Sequence, residues 1–202
     1  MNGIFIYDYV NLMERILSYA YEYSYSFNSV EKQIAYSPFF QSLEKSKRDG
    51  FDPIIGEKEL VCNIFRISDA DLISVPTYSQ CMWVAESYLR IQKETRLTFE
   101  AIFLYIPITN MFHHFAIYHE MDFSQIINEF KGLFEKQSVL ALLLEKHDYS
   151  LKSVSDKIGL PYASLYSYKQ RRRDIKKMSA ESAYSLSSLL RVRIETLLEL
   201  PL

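Results

Sequence analysis

One stretch of twenty residues, Leu151 to Gln170, constrains this 202-residue chain more than any other: LKSVSDKIGLPYASLYSYKQ. Its apolar and aromatic residues fall at positions four, eight, ten, fifteen and eighteen, namely Val154, Ile158, Leu160, Leu165 and Tyr168. Val154 and Ile158 are four apart and share one helix face. Ser155 is small enough to let a second helix approach closely. Gly159 suits the left-handed residue that ends a first helix. Leu160 fills the corner between the helices. Pro161 can start or precede the second helix, where its missing N–H does no harm. Leu165 and Tyr168, three apart, face back inward. The pattern predicts two short helices crossing at a tight turn.

Charge divides the chain at about the same place. Residues 137–202 hold 11 Lys and Arg against 7 Asp and Glu, a net of +4. Residues 1–136 hold 12 against 18, a net of −6, which together make the overall −2. An acidic first part and a basic last part predict two domains with different partners, residues 1–135, whose aromatic richness makes them the candidate for partner binding or dimerisation, and residues 137–202. Composition settles the class. Hydrophobic residues make up 49% and aromatics 15%, enough for a core and too much for disorder. Only 5 Gly and 6 Pro argue against an all-β sandwich and for an all-α fold. Cys62 and Cys81 form no CxxC and are read as buried free thiols rather than a disulfide or zinc scaffold. Met1 to Val10 has no basic leader pattern, and the apolar run Ala101 to Ile106 is too short to span a bilayer. A cytoplasmic protein with no membrane partner is expected.

Helical spacing recurs through the first part. Tyr9 to Tyr23 places Val10, Met13, Ile16, Leu17 and Ala20 on one face. Shorter amphipathic pieces are expected at Tyr36 to Lys47 and Glu57 to Arg66, separated by the break Arg48 to Pro53. Thr77 or Ser79 can cap a helix running to about Thr95, with Met82, Ala85, Tyr88, Leu89 and Gln92 spaced helically. Thr98 precedes another helix start, Pro107 interrupts it, and Asp122 opens a last one through Phe134. Trp83 reads as core.

The Leu151 to Gln170 pattern resembles the helix-turn-helix of the phage-repressor family (Cro/C1, or Xre-like). The flanks extend the resemblance over about 65 residues. Gln137 to Lys146 corresponds to a first helix with Val139, Leu140, Leu143 and Leu144 as its apolar side. Ser150 and Ser179 stand where caps of the second and fourth helices belong, the fourth being Ala180 to Leu190. Arg191 to Leu198 corresponds to the closing turn and fifth helix. The resemblance implies a five-helix, lambda-repressor-like DNA-binding domain with Tyr162 to about Arg171 as recognition helix. Tyr162, Ala163, Ser164, Ser167 and Gln170 would then face base edges in the major groove, with Tyr166 at the margin. Ser150, Lys169, Arg171, Arg172, Arg173, Lys176 and Lys177 would lie near phosphates. Leu151 stands where the family carries Gln, and Lys169-Gln170-Arg171 where it often carries Glu-Asn-Gly. The missing glycine predicts a longer or different exit from the recognition helix.

Other constellations are weaker. His113, His114 and His119 with Glu120 lack the i,i+4 spacing of a helical metal site. The carboxylate pairs Asp69/Asp71 and Glu57/Glu59 read as solvated charge. No Gly-x-Gly-x-x-Gly, P-loop or Gly-x-Ser-x-Gly motif is present, so no cofactor and no enzymatic activity are expected. Scattered residues from Trp83 to Tyr88, Leu97 to Phe103 and Tyr118 to Ile127 resemble a small helical family of unknown function (the DUF3791 type). Its members sit in operons that look like toxin–antitoxin modules. The expected function is a sequence-specific transcriptional regulator that binds double-stranded DNA as a homodimer. The alternative is an antitoxin-like interaction protein whose first domain binds a toxin-like partner protein.

Overall fold

A computed structural model describes residues 4–22, 26–45 and 78–200. Within them all regular structure is helical and there is no strand. The expected break at 48–53, the helix at 57–66, Cys62, Thr77 and the pairs Asp69/Asp71 and Glu57/Glu59 lie outside the described residues.

The first helices are α1 (Ile4–Glu22), α2 (Phe27–Tyr36), α3 (Pro38–Lys45) and α4 (Tyr78–Thr95). The α1 stripe is as the spacing predicts: Val10, Met13, Ile16, Leu17 and Ala20 are all buried. It packs along α4, whose Ala85, Tyr88, Leu89 and Gln92 are buried too. Tyr88 is fully enclosed and its O–H donates to the Ile106 carbonyl at 2.7 Å. Burial holds its phenol well above the ordinary tyrosine range. Ser79 lies inside α4 rather than at its cap. Cys81 is a buried free thiol. The helix α2 was not foreseen; its buried stripe of Phe27, Val30, Ile34 and Ala35 is interrupted by a buried carboxylate, Glu31.

Next come α5 (Phe99–Tyr105), α6 (Ile108–Tyr118) and α7 (Phe123–Lys136). Thr98 caps α5 by accepting from Ala101 N–H, and Asp122 caps α7 through Ser124 N–H, as their positions predict. Pro107 separates α5 from α6. Aromatic rings fill the joints: Phe40 meets Phe99 edge-on at 5.5 Å, and Trp83 meets Phe115 edge-on at 5.7 Å.

The last helices are α8 (Val139–Lys146), α9 (Leu151–Ile158), α10 (Tyr162–Lys169), α11 (Ala180–Leu190) and α12 (Ile194–Leu197), with a 3-10 turn at Ile175–Lys177. A change of direction near residue 137 separates α7 from α8, but the core does not stop there. The helix α5 packs on α2 and α4 on one side and on α8 and α12 on the other. Buried side chains form one continuous cluster from Val10 to Leu198. No helix among the described residues is long and apolar enough to cross a membrane.

Candidate nucleic-acid interface

The turn between α9 and α10 has the geometry its residues dictate. Gly159 sits at φ 70°, ψ 12°, and its N–H reaches the Ser155 carbonyl at 2.9 Å. Ser155 also ties the corner, donating its O–H to the Leu160 carbonyl at 2.8 Å. Val154, Leu165 and Tyr168 are buried, and α10 packs against both α9 and α8. Ser150 caps α9 by accepting from Ser153 N–H at 3.1 Å while staying exposed, so its own O–H remains available to an anion. Ser179 caps α11 by accepting from Ser182 N–H, and its own O–H is donated to Ser182 Oγ. The sequence reading missed the cap of α8, Ser138, which accepts from Ala141 N–H and donates to the Lys169 carbonyl.

The 3.6-residue period sorts the base-contact candidates on α10. Tyr162, Ala163, Tyr166 and Gln170 form one exposed stripe. Tyr162 and Tyr166 stack at 6.4 Å with 14° between their rings. Ser167 flanks the stripe, half-buried, with its O–H donated to the Ala163 carbonyl. Ser164 does not join it. Two residues from Tyr162, it lies on the opposite side of the helix and is half-buried. Tyr166, placed at the margin by the sequence, is at the centre.

The basic residues divide as well. Arg172, Arg173, Lys176 and Lys177 are exposed and Lys169 is half-buried. Arg172 lies over the Tyr166 ring at 5.4 Å and Arg173 over the Tyr168 ring at 5.3 Å. Stacking of this kind orders a guanidinium while its N–H edges stay free to donate. The loop itself is anchored: Ile175 and Met178 are buried, and Asp174 accepts from Lys176 N–H.

Arg171 corrects the expected phosphate set. Its guanidinium turns inward and makes a paired contact with Glu199, Nη1 to Oε2 at 2.6 Å and Nη2 to Oε1 at 3.1 Å. It also donates to the Gln137 carbonyl and to the Tyr105 O–H, and lies over the Phe134 ring at 4.4 Å. Glu199 is nearly fully buried and additionally accepts Val139 N–H at the start of α8. A buried carboxylate needs such donors, and they engage the guanidinium of the half-buried Arg171. Of the expected longer or different exit, the longer one is not found: α10 ends at Lys169, and Arg171 itself takes the left-handed conformation at φ 52°. Arg172 N–H closes on the Ser167 carbonyl and Arg171 N–H on the Tyr168 carbonyl, the bonding of a glycine-type helix end.

His114 of α6 and His119 just beyond its end are engaged in the fold. His119 Nδ1 lies 2.7 Å from the Phe115 carbonyl, and His114 Nε2 is 3.8 Å from Glu129. Among the described residues no group of three His, Cys, Asp or Glu could hold a metal ion. Comparison of the chain with family profiles, curated proteins and solved structures finds no match.

Proposed function

We propose that the chain is a sequence-specific DNA-binding transcriptional regulator that presents α10 to the major groove. The observation that carries this reading is the juxtaposition of two surfaces. One is the exposed stripe Tyr162, Ala163, Tyr166 and Gln170. The other is the set of exposed cations that follows it, Arg172, Arg173, Lys176 and Lys177. Gln pairs bidentately with adenine, and an aromatic face meets the thymine methyl, so the stripe has the chemistry of base readout. The cations have the chemistry of phosphate contact, with Ser150 and Lys169 as further donors. One module of this size buries little surface on DNA, so a homodimer reading two half-sites one helical turn apart is part of the proposal.

The test is binding to the protein's own upstream DNA against random DNA at two salt concentrations. Preference that survives the higher salt supports the proposal; equal binding to both DNAs overturns it. A second reading, a protein-binding first part, is favoured by Ile117 and Met121, which are 62% and 50% exposed at and beyond the end of α6. Affinity capture on the full chain checks it, with specific retention of one toxin-like protein, lost on Ile117→Asp/Met121→Asp, as the expected outcome.

A further inference from the structure

The two parts of the chain meet at a cleft of about 220 Å³ walled by α2, α5 and the end of α8. Its charges are ordered from floor to mouth. At the floor lies the carboxylate of Glu31, only 9% exposed. Oε1 accepts Ile108 N–H at 2.6 Å and so serves the first turn of α6. Its other oxygen has no donor among the described residues. A buried carboxylate left half-served is costly, and burial pushes Glu31 up to about 7. Lys146 and Lys32 act on it electrostatically, yet both side chains are exposed at the mouth and neither closes to an ion pair.

The second carboxylate of the cleft, Glu100, is already occupied. Its Oε1 takes the Tyr36 O–H, and its Oε2 takes the Thr196 O–H and Arg193 N–H. Ala35, Phe103 and Leu104 form the apolar part of the wall, beside Asn28 and Tyr36. A simple amine would satisfy Glu31 and be opposed by two lysines. A simple acid would find the lysines and be opposed by Glu31. A molecule with both charges and a short apolar body meets all three surfaces. The volume is below the ~300–1,000 Å³ of sites for drug-sized ligands, which restricts the occupant to a compact metabolite.

We propose that this cleft binds a small zwitterion of the amino-acid class. Its ammonium bonds the free oxygen of Glu31, its carboxylate meets Lys32 and Lys146, and its apolar side chain lies on Ala35, Phe103 and Leu104. The inference stands apart from the DNA-binding reading, because the site contains none of the residues of the α10 stripe.

The experiment is calorimetry and thermal shift on the full chain with L-alanine, L-valine, L-leucine, L-methionine and L-phenylalanine. Isoamylamine and 4-methylpentanoate serve as the two halves of leucine. At least one amino acid is expected to bind and raise Tm, and neither half-molecule to do so at equal concentration. Glu31→Gln keeps an acceptor for Ile108 N–H, so it should fold, and is expected to weaken the bound amino acid at least tenfold. Lys146→Met is expected to weaken it less. Absence of binding by all five amino acids overturns the proposal. So does isoamylamine binding as tightly as leucine, or Glu31→Gln retaining wild-type affinity. DNA plays no part in the readout, so failure here and failure of the regulator reading are separate results.

Discussion

Arg171, Arg172 and Arg173 carry the same charge in three different situations. Arg171 is locked to Glu199, while Arg172 and Arg173 lie over tyrosine rings with free edges. Arg171→Ala leaves the buried Glu199 carboxylate with only Val139 N–H, and is expected to cost about 3 kcal/mol of stability. Urea unfolding measures this. Arg172→Ala/Arg173→Ala is expected to leave stability within about 0.5 kcal/mol. The double variant should instead flatten the dependence of log affinity on log salt by nearly 2, at about 0.9 per phosphate contact. Glu31 makes the second residue-scale prediction. Its folded pKa is raised from 4.5 to about 7, so the folded chain binds the proton more tightly than the unfolded chain does. The contribution is therefore full below about pH 4.5 and is lost as pH rises through about 7. Between pH 4.5 and 8 the unliganded protein should lose about 3 kcal/mol from this group, and Glu31→Gln should remove that slope. That α2 carries a buried acid was not readable from periodicity, since its hydrogen-bonding partner among the described residues is Ile108, 77 residues away.

Helix ends follow a rule that the sequence only half reveals. The Ser150 and Ser179 caps were legible because the capping oxygen sits three residues from the N–H it accepts. The opposite ends were not. Asp148, Arg171, Arg191 and Glu199 all adopt φ between 52° and 54°, and only Gly159 among the left-handed residues of this part is a glycine. Such a conformation costs a side-chain-bearing residue about 1–2 kcal/mol. Arg171 and Glu199 offset it by pairing with each other. Arg191 is exposed; its N–H closes the helix end on the Ser188 carbonyl, and its own carbonyl lies 3.1 Å from the Tyr36 hydroxyl oxygen, whose proton goes to Glu100. Arg191→Gly is therefore expected to stabilise the protein by about 0.5–1 kcal/mol, after the greater freedom of glycine in the unfolded chain is counted. Thermal unfolding checks this, with a rise of roughly 1–4 °C expected at this chain length.

At the scale of the molecule, the division expected from charge is bridged by a hydrogen-bonded relay. Thr98 Oγ1 accepts from Ala101 N–H and donates to Thr196 Oγ1 at 2.8 Å; Thr196 in turn donates to Glu100 at 2.7 Å. Each hydroxyl has one proton, so this is the one direction that satisfies all three groups. With Arg171 reaching Tyr105, it joins α5 to the last helices. Thr196→Val keeps the shape and breaks both links, leaving Thr98 and Glu100 each short of a partner. A loss of about 2 kcal/mol is expected. The same joint predicts one unfolding transition rather than two, with calorimetric and van 't Hoff enthalpies agreeing.

The amino-acid sequence by itself determined what depends on neighbours within about four residues: the apolar stripes, the serine and threonine caps, the Gly159 turn and the inward Leu165 and Tyr168. These follow from helical period and local hydrogen bonding, which composition and spacing carry directly. Only the tertiary structure decided what depends on residues far apart. It turned Arg171 inward to Glu199, 28 residues on, and made α5 the shared wall between two parts of opposite charge. Net charge says where like residues concentrate. Which of them is buried is decided by the partner that burial demands, and that partner is brought up by the fold.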